Sequence, residues 1–199
     1  MTSFLAVFAI ALFAILLVEL PDKTLVATLV LSTRYRPRPV LAGVAAAFAV
    51  QCVIAVTAGG LLHLLPHRLL EGIVALLFAL GAFLLARESL VSEEEAVTED
   101  TPAGSGLTDR RIVGISFGVL FAAEWGDASQ LATAGLVARY GQPVAIGLGA
   151  FIALVGVAFL AVGLGKVILR RVPLQLLHRL AAVLFGAFAV IAAVAAIRG

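Results

Sequence analysis

The chain has 199 residues, of which 62% are hydrophobic and 13% charged, with a formal net charge of +2 and a mean hydropathy of +1.14. A water-soluble domain of this length needs far more charged surface, so lipid is the expected solvent. The single cysteine, Cys52, excludes an internal disulfide, a multi-cysteine zinc or iron–sulfur site and a two-cysteine thiol relay. The basic residues lie beside hydrophobic segments and read as a topology signal rather than a nucleic-acid patch.

The first apolar run, Phe4 to Val18, follows an uncharged Met1-Thr2-Ser3 and leads into Glu19-Leu20-Pro21-Asp22-Lys23 rather than a small-residue cleavage site. It is expected to be a retained span, not a signal peptide. Crossing a bilayer takes about 20 residues rising about 1.5 Å each. Six segments meet that demand. Val40–Leu62, Leu69–Ala86, Val144–Ile168 and Leu174–Ile197 are uninterrupted. Thr2–Thr33 is broken by Glu19-Leu20-Pro21-Asp22-Lys23-Thr24, and Ile112–Ala138 by Glu124-Trp125-Gly126-Asp127-Ala128-Ser129. Both broken segments exceed one straight span, so a kink or unwound stretch is expected in each, and Pro21 supplies a cause in the first.

Between the third and fourth segments, residues 88–111 hold Glu93-Glu94-Glu95, Glu99-Asp100 and Pro102-Ala103-Gly104-Ser105-Gly106. This composition is that of a disordered linker, with a metal-sensing acidic cluster as the alternative. It separates a first unit, 1–87, from a second, 112–199. Basic residues crowd the loops after spans one, three and five (Arg34, Arg36, Arg38; Arg87, Arg110, Arg111; Lys166, Arg170, Arg171), against Arg68, Arg139 and Arg198 opposite. By the positive-inside rule the first set is cytoplasmic and both termini lie outside, and a bacterial inner membrane is the expected location.

A shift of 105 positions overlays the two broken segments: Glu19 on Glu124, Asp22 on Asp127, Thr24 on Ser129, Thr28 on Thr133, Arg34-Tyr35 on Arg139-Tyr140, and later Gly81-Ala82-Phe83 on Gly186-Ala187-Phe188. With a one-residue slip, Pro39 and Gly43 fall on Pro143 and Gly147. Three spans per half is an odd number, so the expected fold is an all-α polytopic membrane protein of six transmembrane helices in two inverted three-helix repeats. In such repeats the interrupted helices meet near the midplane, and the architecture is that of a carrier. Gly149, Gly156 and Gly163, and Gly114-xxx-Gly118, read as close-packing positions between helices.

Glu19 and Asp22 are three residues apart, as are Glu124 and Asp127, which on a helix sets both acids on one face. Carboxylates inside lipid are costly and usually serve a function. Four of them repel one another unless protons or cations neutralise them. Hard divalent cations such as Mn²⁺, Ca²⁺ or Mg²⁺ suit such oxygen ligands, to which Thr24, Ser129, Thr28, Thr133 and Gln130 add hydroxyl and amide groups. The alternatives are carboxylates paired with Lys23 and backbone amides, and hydroxyls bonded to backbone carbonyls. Lys23 has Ala128 as its counterpart, so four negative charges face one positive. A divalent cation leaves about one net negative charge, which a proton removes. Gln51, within the second span, lines the pathway or bonds another helix. His63, His67 and His178 sit at span ends as structural or interfacial residues.

Two motifs of the form Glu-x-Gly-Asp-Lys-Thr/Ser, one per three-helix half, resemble those of uncharacterised protein family 0016, the cation/proton exchangers that include the eukaryotic Golgi manganese transporter, within the lysine-exporter superfamily. The resemblance covers nearly the whole chain. It implies transport of Mn²⁺, or Ca²⁺ in some members, in exchange for protons, with Glu19, Asp22, Thr24, Glu124, Asp127 and Ser129 as the motif residues. Pro21 replaces the first motif's glycine and Ala128 the second motif's basic residue. The expected substrates are a divalent ion and protons; the expected surroundings are a lipid bilayer, with no resident cofactor, no nucleic acid and the oligomeric state left open. An amino-acid exporter of the lysine type would share the fold but wants groups for an amine and a carboxylate. An intramembrane aspartyl protease wants Tyr-Asp and Gly-x-Gly-Asp contexts, which neither Asp22 nor Asp127 has.

Overall fold

The computed structural model describes residues 3–20, 23–88, 107–171 and 174–198. Among them run eight α-helices and no strand: α1 (Phe4–Glu19), α2 (Lys23–Arg34), α3 (Pro37–Leu62), α4 (His67–Glu88), α5 (Asp109–Ala123), α6 (Ala128–Tyr140), α7 (Pro143–Arg171) and α8 (Leu174–Arg198). The four uninterrupted segments are α3, α4, α7 and α8. Each broken segment is a pair of short helices, α1–α2 and α5–α6. Helix α4 extends to Glu88 and α5 starts at Asp109, behind Thr108 in extended geometry, so helix occupies both ends of the expected 88–111 linker. The acidic stretch between them lies outside the described residues.

Local chemistry accounts for the helix ends. The Ser3 hydroxyl accepts the Ala6 N–H at 3.3 Å and caps α1. Pro37 and Pro143 open α3 and α7, where a missing N–H costs nothing because the first turn has no intrahelical acceptor for it. Gly141 closes α6 in the left-handed region at φ +62°, its N–H on the Val137 carbonyl. There the His63 ring bonds the Ala138 carbonyl through Nδ1 at 2.6 Å, which holds the end of α3 against the end of α6.

Pro37–Leu62 and Pro143–Gly163 are long and apolar enough to cross a bilayer; Phe4–Glu19 and Ala182–Arg198 are shorter apolar helices. The core gathers Val7, Ile15, Val44, Phe48, Phe78, Ile146 and Phe185 from both halves, with Phe78 and Phe185 edge to face at 5.6 Å. The outer surface is apolar too: Phe13, Leu76, Phe159, Val183 and Ile197 are all exposed. Apolar exposure on this scale is costly in water and neutral in hydrocarbon.

Some helix contacts recur between the two halves. Helix α1 lies on α7 as α3 lies on α5, and α2 lies on α7 as α3 lies on α6. A Cβ at Gly43 would stand 2.4 Å from the Val113 carbonyl oxygen, 2.8 Å from Ser116 Cβ and 3.0 Å from Phe117 N. At Gly149 the same atom would stand 2.7 Å from the Phe8 oxygen, 3.0 Å from Ala11 Cβ and 3.1 Å from Leu12 N. Phe8, Ala11 and Leu12 are the 105-residue counterparts of Val113, Ser116 and Phe117. Gly43 is therefore equivalent to Gly149, not Gly147, and the helix-opening prolines that correspond are Pro37 and Pro143, not Pro39 and Pro143. With prolines on both sides of Arg38, the sequence offered two registers; the helix–helix contact selects one.

Four of the other glycines expected at packing positions stand open instead. A Cβ at Gly114, Gly118, Gly156 or Gly163 would meet nothing within 4 Å. Among the described residues these four do not bring helices together, because helical spacing alone does not say which face a neighbour covers. The packing also departs from symmetry. Helix α4 rests on α6, with no comparable α2–α8 packing among the described residues. At that contact Arg139 pairs with Glu71 at 2.8 Å, the acid buried and the guanidinium half-buried.

Candidate cation site

The second break is built from a helix that stops at Ala123 and another that starts at Ala128, with four residues between them. The Glu124 N–H reaches the Leu120 carbonyl at 3.0 Å, but the Trp125 N–H turns to Ala122 at 3.4 Å and the Asp127 N–H to Glu124 at 3.3 Å. Gly126 takes φ +75°, a conformation that side chains disfavour, which lets the chain turn within one residue. Asp127 then caps α6, its carboxylate accepting the Ser129 N–H at 3.4 Å. The Gln130 oxygen accepts the Gly126 N–H at 3.0 Å and ties the turn to the first turn of α6. From the neighbouring α3, the Gln51 amide donates to the Phe121 carbonyl at 3.1 Å.

At the first break α1 ends on Glu19, and Leu20 still has right-handed helical dihedrals. Pro21, Asp22 and the Lys23 side chain lie outside the described residues.

The breaks meet through their acids. Glu19, Glu124 and Asp127 are all buried, and one carboxylate oxygen from each lies within 4.8 Å of the others. Thr24 of the first half donates its hydroxyl to Glu124 Oε1 of the second. Neither Glu19 oxygen accepts a well-formed hydrogen bond, with the Thr24 and Ser129 hydroxyls close by. Glu124 and Asp127 do not share one helical face as their spacing suggested. They flank the break, one at the end of α5 and the other at the start of α6, and the turn aims both inward.

Of the remaining polar residues, Thr133 donates to the Ser129 carbonyl at 2.8 Å, a bond along its own helix. Its counterpart Thr28 is buried with a hydroxyl that has no hydrogen-bond partner among the described residues. A small cleft opens beside the acids, lined by Gln51, Cys52, Glu124, Ser129, Gln130 and Thr133 among others. Sequence reasoning passed over Cys52 as a neighbour of this cleft and Glu71 as the partner of Arg139. The signal for Glu71 was present: an acid just inside an apolar helix demands a partner.

Three carboxylates converging in an apolar interior favour a cation over an anion. Their oxygens are hard ligands, suited to divalent ions of the Mn²⁺, Ca²⁺ and Mg²⁺ kind. Helices broken at such a centre are the hallmark of ion-coupled carriers rather than soluble binding domains.

Comparison with known proteins agrees. Residues 7–93 and 112–199 match the family described as divalent cation/proton antiporter GDT1, and the chain belongs to that family. It is 33% identical over 199 residues to the GDT1-like protein sll0615 of Synechocystis sp., covering 94% of this chain and 96% of that protein. It is 30% identical over 189 residues to a Vibrio cholerae protein named "Putative manganese exporter", covering 91% of this chain and 87% of that one. No solved structure matches the chain. The protein is thus a membrane transporter of the cation/proton antiporter class.

Proposed function

We propose that this protein exports divalent cations, Mn²⁺ foremost with Ca²⁺ as the competing substrate, in exchange for protons at a site made by Glu19, Glu124 and Asp127 with Asp22, Thr24 and Ser129. The observation that carries the reading is the meeting of buried carboxylates from both halves at one point. Mn²⁺ takes first place because a relative bears a manganese exporter's name and because hard oxygen ligands suit it. Antiport follows from charge. Acids crowded in lipid need neutralising, so protons occupy the site when the cation leaves and depart when it arrives. The reading includes six spans in two inverted halves, which the matched packing of α1 on α7 and α3 on α5 supports. It also includes both termini outside a bacterial inner membrane. Lys23 and the hydroxyls of Thr28 and Thr133 tune the pathway, and Gln130 steadies the turn at Gly126.

The test is transport by the purified protein in proteoliposomes. An imposed pH gradient should drive Mn²⁺ against its own gradient, and Mn²⁺ added without one should move protons the other way. Mn²⁺ flux with no proton movement, at a voltage held by ionophore, would make the protein a uniporter. Reporter fusions at Gly199 and at Glu95 test the orientation, the first expected outside and the second in the cytoplasm.

A further inference from the structure

Gln51 is the polar residue of α3 that reaches the second break, and the repeat gives it no partner: its counterpart in the packing register, 106 residues on, is Val157. Its burial is nearly complete, at 5% exposed. Its nitrogen is committed. Helix α5 leaves the Phe121 carbonyl without its usual acceptor role because the Trp125 N–H turns to Ala122, and the Gln51 amide donates to that carbonyl at 3.1 Å. A carbonyl only accepts, so the donor end of the amide is settled and the oxygen end with it. No hydrogen bond reaches that oxygen among the described residues, and Gln51 lines the cleft it shares with Glu124 and Ser129.

We infer that Gln51 is a further binding residue of the proposed cation site, its carboxamide oxygen acting as a neutral ligand supplied by the first half to the second break; the inference rests on the transport reading above. Chemistry favours such a ligand here. Divalent cations of this class take six or more oxygens, and another carboxylate would add repulsion to a cluster already rich in charge. An amide oxygen adds a coordination bond and no charge. Because its nitrogen is anchored on the end of α5, the oxygen is held in place with the break, and the ion meets a ligand that is already oriented.

Two variants separate this role from a structural one. Gln51→Met and Gln51→Glu both remove the amide that caps Phe121, but only Gln51→Glu keeps an oxygen. In proteoliposomes, with rates normalised to inserted protein, Gln51→Met should raise the KM for Mn²⁺ about tenfold with Vmax within about twofold, the size of one lost polar contact. Gln51→Glu should leave KM at or below the wild-type value and lower Vmax, because a further acid binds the ion and releases it slowly. Equal changes in both variants would overturn the inference and leave only the bond to Phe121. If Gln51→Met fails to insert, Gln51→Glu decides alone: a raised KM overturns the ligand role. A wild-type protein that moves no divalent cation would overturn the transport reading and this inference together, whereas transport by wild type with unchanged KM in both variants overturns the inference only.

Discussion

At the second break the backbone makes a full turn through Gly126 at φ +75°, capped by Asp127 and braced by Gln130 and Gln51. At the first, α1 ends on Glu19 with Leu20 still at right-handed helical dihedrals, and the position equivalent to Gly126 is Pro21, a residue whose ring excludes positive φ. The two motifs differ at this position, yet carboxylate oxygens of Glu19 and Glu124 arrive within 4.8 Å of one another. Their convergence comes from the helix axes. The close approaches at Gly43 and Gly149 dock α5 on α3 and α1 on α7 in the same way, which carries Glu19 at the end of α1 and Glu124 at the end of α5 toward one another. The breaks also differ in access: Glu19 is sealed at 0% exposure, whereas Glu124 borders the cleft.

The largest effect expected from this comparison is on transport. Glu19→Gln and Glu124→Gln each keep side-chain shape and remove one charge, and each should reduce Mn²⁺ flux in proteoliposomes to background while the protein remains inserted. Substantial flux in Glu19→Gln alone would assign the site to the second break and end its composite character.

Next comes Glu71→Gln, which leaves Arg139 without its buried partner. Loss of one member of a buried pair costs about 3–5 kcal/mol, and the partial exposure of Arg139 brings this to about 2–3 kcal/mol. Detergent-solubilised protein should unfold at lower denaturant, and the double variant Glu71→Met with Arg139→Met should recover part of the loss. A null result in Glu71→Gln would mean that α6 is held by the His63 bond and apolar packing, and that the asymmetry of α4 on α6 carries no energetic weight.

The smallest effect compares the turns themselves. Gly126→Ala introduces no clash, since nothing lies within 4 Å of the added atom, so its cost is the left-handed backbone alone, about 1–2 kcal/mol. Pro21→Gly should lack that penalty and cost at most about 1 kcal/mol through added chain freedom. Thermal unfolding of the two variants side by side checks the order; equal losses would mean that the breaks are more alike than their residues imply.

Much of this was legible in the sequence because lipid imposes simple rules. Long apolar runs became helices, the charged interruptions fell between helices, and three of the four acids, Glu19, Glu124 and Asp127, turned up together. Residue type and spacing also carried the family. What spacing could not reveal was anything that depends on which face meets which neighbour. It paired Gly43 with Gly147 where contact pairs it with Gly149, and it read Gly114, Gly118, Gly156 and Gly163 as packing positions where no described neighbour approaches. It set Glu124 and Asp127 on one helical face, when a single positive φ at Gly126 places them at the ends of two helices. By itself the sequence determined the helices, the two breaks and the acids within them, because these follow from local hydropathy and the cost of charge in lipid. Only the tertiary structure decided the register between halves, the orientation of the Gln51 amide and the Glu71–Arg139 pair, because those depend on the distance between helices that the chain order does not specify.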